Sequence, residues 1–203
     1  MAIKAIGDWD MTNALDVYQA ARDKTGRNGD HRDRIEHVQL CRKQDLAAFR
    51  DLGLTASVQP VHLATDWSIA QRRWGAERSP RAYAYKSLMT AGIPMMFGSD
   101  APVEQIDPRL GLKAAVTRTN LKNQPEGGWE PQEKVALAEA LKAFTAQPAW
   151  ISRKEATLGS IAPGKTADLT IFSGDLFALA PEEWPGVDVE LTMIDGVIEH
   201  RKS

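Results

Sequence analysis

The chain has 203 residues, of which 43% are hydrophobic, and a formal net charge of −2. This length suits one domain, or one domain with a small appendage. The near-balanced charge argues against a basic face, so we expect no nucleic-acid partner and no membrane partner. The single cysteine, Cys41, and the lack of an apolar run of about 20 residues favour a cytoplasmic location.

Strand-like and helix-like segments alternate through the first 158 residues. The apolar patterns predict four strands, at residues 2–6, 34–38, 55–60 and 94–98. They predict helices at residues 9–24, 42–52, 80–91, 108–119, 131–146 and 148–154, and loops at residues 27–33, 61–79 and 125–131. Four successive βα units imply an α/β fold with a parallel sheet, either an open doubly wound sheet or part of a barrel.

The last 45 residues have a different character. Residues 166–172 and 190–199 are rich in Thr, Ile and Val, which is typical of strands. A turn at Asp195-Gly196 divides the second run into a hairpin. We therefore predict a first domain at residues 1–158 and a β-rich segment at residues 159–203.

Polar side chains stand at the carboxyl end of each predicted strand: Lys4, His37, Gln59 with His62, and Asp100. In a barrel these strand ends converge on one mouth, where such enzymes carry out their chemistry. His37 and Asp100 are candidate metal ligands, because imidazole suits zinc and a carboxylate both binds metal and accepts protons. The alternative is structural: a histidine bonded to backbone and an aspartate capping the next loop.

Residues 159–166 match the phosphate-loop pattern, GSIAPGKT. That motif binds phosphate only where a strand precedes it and a helix follows it. Here a helix end precedes the motif and a β-run follows it, and Pro163 lacks one of the N–H groups that would contact phosphate. We predict a turn that binds no nucleotide.

Several motifs occur together in one order along the chain: AIGD at residues 5–8, RIEH at 34–37, SVQP at 57–60 with His62, GSDAPV at 98–103, PGK at 163–165 and ADL at 167–169. In these motifs the sequence resembles the YtcJ-like branch of the amidohydrolase superfamily (amidohydrolase family 3, which includes AepA-type proteins). The matching stretches cover almost the whole chain.

The resemblance implies strands five to eight of a (β/α)₈ TIM barrel, followed by a segment of the superfamily's composite β-domain. It implies that His37 binds a divalent metal, most often zinc, and that Asp100 is both a metal ligand and the general base. Gln59 and His62 would line the pocket for a small amide-type substrate. The implied activity is metal-dependent hydrolysis of carbon–nitrogen bonds other than peptide bonds.

Two departures from the family pattern affect this expectation. Lys4 stands where the family has a metal-binding histidine, and the family's His-x-His strand and strand-four bridging residue would lie before residue 1. A hydrolytic zinc site normally has three protein ligands. With two good ligands, the chain alone should bind metal weakly and hydrolyse little. The alternative is a truncated or degenerate, non-catalytic fragment with an assembly or regulatory role.

Assembly is a further expectation. Four strands of a barrel leave two open edges, and Ile3, Ile35, Val58 and Met96 suggest an apolar sheet face. Open edges pair readily with other strands. We therefore expect a homo-oligomer, or pairing with a missing N-terminal half of the barrel.

Overall fold

Two β-sheets and seven α-helices make up the computed structural model, which describes residues 1–26 and 31–202. The strands are β1 Ala2–Ala5, β2 Arg34–His37, β3 Thr55–Val58, β4 Met95–Phe97, β5 Leu169–Phe172, β6 Val189–Ile194 and β7 Val197–Arg201. The helices are α1 Asp8–Thr25, α2 Asp45–Asp51, α3 Pro60–Arg78, α4 Tyr85–Thr90, α5 Pro108–Thr117, α6 Leu137–Phe144 and α7 Ala146–Ile151. The predicted loop at residues 27–33 lies partly outside the described residues.

The first sheet is parallel throughout, with strand order β1-β2-β3-β4. Helices connect its successive strands, as parallel neighbours require. The predicted α/β fold with a parallel sheet is therefore confirmed. The order contains no reversal, which is the feature that distinguishes a doubly wound sheet.

The two faces of this sheet differ in chemistry. Strand register places Ile3, Ile35, Ala56 and Met95 in one row, and this face packs into the hydrophobic core. Side chains alternate between faces along a strand. The opposite face therefore carries the next row, which contains Lys4, Glu36, Ser57 and Met96. The prediction that Met96 shares the apolar face with Ile3, Ile35 and Val58 was wrong.

One loop prediction and two helix predictions needed correction. Residues 61–79 were predicted as a loop, but Pro60–Arg78 is helical, with a non-helical kink at Gly75. Pro60 occupies the first turn, where its missing N–H costs nothing. The predicted helices at residues 80–91 and 131–146 begin later, at Tyr85 and Leu137, because each proline opens a 3₁₀ turn instead, at Ser79–Arg81 and Pro131–Glu133.

The second sheet is antiparallel, with order β5-β6-β7. The predicted hairpin is present: Asp195 and Gly196 both have positive φ, at 51° and 77°, as a tight two-residue turn between twisted strands requires. An arginine joins this sheet to the rest of the chain, since a guanidinium nitrogen of Arg109 donates to the carbonyl of Val187. Another 3₁₀ turn, Trp184–Gly186, leads into β6.

The segment that matches the phosphate-loop pattern is followed by strand β5, as predicted, and not by a helix. The Lys165 ammonium donates to two backbone carbonyls, those of Glu155 at 2.7 Å and Leu158 at 3.1 Å. The lysine thus closes a local turn. That residues 159–166 bind no nucleotide remains a prediction.

Among the described residues, none of the helices combines the length and the apolar character needed to cross a bilayer.

Candidate metal centre

The site lies at the carboxyl edge of the parallel sheet. His37 is the last residue of β2, Gln59 directly follows β3, and Asp100 lies three residues beyond the end of β4. Carboxyl ends of parallel neighbours meet at one edge, so three separate stretches of sequence converge there.

His37, His62 and Asp100 form one cluster. Each offers a ligand atom, and these atoms all lie within 4.8 Å of one another. Nε2 of His62 lies 3.4 Å from Oδ2 of Asp100, and the two imidazole rings are 5.8 Å apart between centroids. His62 was predicted to line the substrate pocket. Its position in the first turn of α3 brings its ring to the predicted metal ligands.

The backbone at this edge is unusual. His37 has φ 73° and Asp100 has φ 59°, both in the left-handed region that side chains with a Cβ disfavour. Such conformations cost on the order of 1–3 kcal/mol each and cluster at functional sites. The turn at His37 ends strand β2, and its ring lies beside His62 and Asp100.

His37 is suited to bind metal as a neutral ligand. Burial lowers the pKa of its imidazole below the ordinary value, and the positive charge of Lys4 lowers it further. Nδ1 of His37 is buried and makes no hydrogen bond of standard geometry, although the Gln59 side chain lies close enough to raise the pKa of the ring. A neutral imidazole beside a second imidazole and a carboxylate is a donor set that zinc accepts.

Two further predicted site residues lie nearby. The Oε1 atom of Gln59 is buried without a hydrogen-bond partner, while its Nε2 donates to the Ser57 carbonyl at 3.5 Å. Lys4 is exposed and belongs to the polar row of the sheet. After burial, its positive charge is the next cause that lowers the pKa of His37.

Glu104 is a site residue that the sequence did not reveal. Its Oε1 lies 3.5 Å from Nδ1 of His62 and accepts a hydrogen bond from the Thr65 hydroxyl at 2.7 Å. Glu104 sits in the loop between β4 and α5, four residues after Asp100. No periodicity or motif points to a role for it.

A cavity of about 610 Å³ lies elsewhere in the chain, between α5, α6 and the start of the second sheet. Its lining includes Leu112, Phe144, Lys165 and Phe172, and none of the clustered residues. The candidate chemistry therefore rests on the convergence of ligand atoms and not on this cavity.

Comparison with known proteins supplies independent evidence. A family model described as the amidohydrolase family matches residues 1–200. The chain is 34% identical over 203 residues to YtcJ of Bacillus subtilis (strain 168), a protein assigned to the amidohydrolases. It is 29% identical over 205 residues to the N-substituted formamide deformylase of Arthrobacter pascens. The alignments cover all of this chain but 38% and 37% of those two proteins.

Solved structures agree with these matches. A metal-dependent hydrolase of Pyrococcus horikoshii OT3 superposes with a TM-score of 0.70 at 32% identity, covering 82% of this chain and 32% of that one. The zinc complex of atrazine chlorohydrolase TrzN from Arthrobacter aurescens TC1 superposes with a TM-score of 0.66 at 18% identity, covering 98% of this chain and 44% of that one. At this low identity, the second likeness supports the fold alone.

Proposed function

Because this chain belongs to the amidohydrolase family, we propose that it carries part of a metal-dependent hydrolase that cleaves carbon–nitrogen bonds other than peptide bonds. One observation carries the proposal: His37, His62 and Asp100 offer ligand atoms within 4.8 Å of one another at the carboxyl edge of the sheet. Since the chain spans 38% of YtcJ, the activity of the whole protein is part of the proposal.

We further propose that residues 1–158 supply strands five to eight of a (β/α)₈ barrel. The sequential parallel order β1-β2-β3-β4 supports this assignment, since barrel strands neighbour each other in chain order. Residues 159–203 would then belong to a composite β-domain, which the antiparallel order β5-β6-β7 supports.

In this proposal His37 and Asp100 hold a divalent metal, with zinc as the first candidate. The buried Nδ1 of His37 and its lowered pKa support a ligand role, because zinc binds the neutral imidazole. A bound zinc would supply Lewis acidity that polarises the substrate carbonyl and activates water.

The chain's own residues would then manage the proton and the substrate. Asp100 has a side chain 37% exposed, so its carboxylate is accessible to take a proton from the attacking water and pass it to the leaving amine. Gln59, whose side chain lies beside His37, would accept a hydrogen bond from a substrate N–H through its Oε1. The name of the Arthrobacter pascens relative makes N-substituted formamides the first substrates to test.

The test is hydrolysis of an N-substituted formamide and a panel of small amides by the zinc-loaded chain, followed as amine release. Asp100→Asn should lower the rate by at least about 100-fold, since a general base contributes about 10² to 10⁴. Asp195→Asn, in the distant hairpin turn, is the matched control and should leave the rate unchanged. Equal rates in the Asp100→Asn and unaltered chains would contradict the proposed role of Asp100.

A further inference from the structure

We propose that His62 is a third metal ligand of this site and that Glu104 is the residue that positions it. This inference rests on the metal dependence of the proposed function, and it assigns roles to two residues outside the pair His37 and Asp100. The expectation of weak metal binding counted two good ligands. A ligand on helix α3 would bring that number to three.

The His62 ring lies between two carboxylates. Its Nε2 is 3.4 Å from Oδ2 of Asp100, and its Nδ1 is 3.5 Å from Oε1 of Glu104. The contact with Asp100 is a long hydrogen bond in one of the two tautomers, and both distances exceed the usual 2.7–3.2 Å. Metal–ligand distances of about 2.0–2.2 Å in a tetrahedral site place neighbouring donor atoms about 3.3–3.5 Å apart. The separation of Nε2 from Asp100 therefore suits two ligands of one ion.

Glu104 is held where its carboxylate can accept a hydrogen bond from the Nδ1–H of His62. The Thr65 hydroxyl donates to its Oε1 at 2.7 Å, and Thr65 lies one turn beyond His62 on the same helix. The Glu104 side chain is 18% exposed. In the part of the chain that the structure describes, no lysine or arginine lies within 4.0 Å of its carboxylate. The Glu104 carboxylate can therefore accept a hydrogen bond from the His62 imidazole.

The consequence is a choice between the two neutral forms of the ring. A proton on Nδ1 faces Glu104 and leaves the lone pair of Nε2 directed at Asp100 and His37, where a metal would bind. A proton on Nε2 would instead form a hydrogen bond with Asp100. Neither Nε2 nor that carboxylate oxygen would then be available to bind a metal. Metal-binding histidines commonly donate their second N–H to a carboxylate, and losing that partner costs about 10- to 100-fold in affinity.

The first experiment determines the protonated nitrogen of His62 in the metal-free chain. Long-range ¹H–¹⁵N spectra of ¹⁵N-histidine-labelled protein, at about pH 8 where imidazole is neutral, distinguish the two forms. The chain has 4 histidines, so His62→Asn assigns the signal. We expect Nδ1–H in the unaltered chain, retention in Glu104→Gln, whose carbonyl oxygen still accepts, and a shift toward Nε2–H in Glu104→Ala. A native His62 protonated at Nε2 would overturn the positioning role.

The second experiment measures zinc affinity by calorimetry on the same proteins. His62→Ala should weaken binding by more than tenfold and Glu104→Ala by about tenfold. Glu77→Ala, at an exposed position of the same helix α3, is the matched control and should bind as the unaltered chain does. Circular dichroism establishes that each variant is folded.

Unchanged zinc affinity in folded His62→Ala, or no zinc binding by the unaltered chain, would overturn the ligand role. Neither readout depends on turnover. Zinc bound through His62 without hydrolysis would count against the proposed function and leave this inference standing.

Discussion

At the residue scale, Lys4 is the feature that departs from the family pattern. It stands on the edge strand β1, in the same row as Glu36, and its charge lowers the pKa of His37. The same charge opposes a metal cation at His37 and Asp100, and a protonated lysine is a poor ligand. We therefore expect Lys4 to weaken metal binding in two ways, by repulsion and by the absence of an imidazole.

Replacing Lys4 separates these two effects. Lys4→Gln removes the charge, and Lys4→His also restores an imidazole on the strand next to His37. We expect zinc affinity to rise from the unaltered chain to Lys4→Gln and to rise again in Lys4→His. The Lys4→His variant should bind at least about tenfold tighter than the unaltered chain, or about 1.4 kcal/mol. Zinc titration by calorimetry measures the affinity of each of the three proteins. Equal affinities in all three proteins would show that the side chain at this position does not face the site.

At the element scale, Arg118 joins three segments that are distant in sequence. It ends helix α5 in a left-handed conformation with φ 60° and is fully buried. Its guanidinium donates to the carbonyls of Trp129 at 2.6 Å, Tyr83 at 2.7 Å and Ala82 at 3.3 Å. The charge also lies 5.5 Å from the ring centre of Tyr85. This one side chain therefore supplies the donors of the Ala82 and Trp129 carbonyls and a second donor for the Tyr83 carbonyl, which also accepts from the Tyr85 N–H.

Removing that side chain should be costly. Arg118→Leu leaves up to two buried carbonyls without donors, those of Ala82 and Trp129, and each such group costs about 1–3 kcal/mol. We expect a loss of at least about 2 kcal/mol in the free energy of unfolding, measured by urea denaturation. Arg72→Leu, at an exposed position of α3, is the control and should change stability by less than about 0.5 kcal/mol. A loss below about 1 kcal/mol for Arg118→Leu would mean that water reaches these carbonyls.

At the scale of the whole molecule, the parallel sheet has two edge strands, β1 and β4. The apolar residues Ile3 and Ile35 face the hydrophobic core, whereas the second face carries Lys4 and Glu36 in one row. Edge strands offer unpaired N–H and C=O groups. Any association of this chain should therefore use strand edges more than a hydrophobic sheet face.

We expect the purified chain to associate. Light scattering coupled to size-exclusion chromatography should give a mass at least twice the 22.4 kDa of one chain, decreasing on dilution. Association through backbone hydrogen bonds between strand edges depends little on charged side chains, so the measured mass should change little when salt is added. A cooperatively melting monomer whose mass is independent of concentration would rule this out.

Local sequence patterns determined the strands, the hairpin and part of the candidate site. Short apolar runs such as residues 34–38 and 55–60 predicted the strands, because alternation of strand and helix is encoded within each βα unit. The Asp195-Gly196 dipeptide predicted the hairpin, because these two residues readily adopt the positive φ angles of a two-residue turn. His37 and Asp100 were identified as a pair because both follow buried strands, and parallel strand ends converge.

Other features were decided by the tertiary structure. Helix α3 was missed because its apolar residues do not follow one face, and packing against α5 stabilises it instead. The position of the His62 ring depends on where that helix begins, and the contact with Glu104 depends on the path of the loop that follows β4. Arg118 is a charged residue whose burial is possible because three distant carbonyls meet it. Periodicity is a local property, whereas these contacts join segments far apart along the chain.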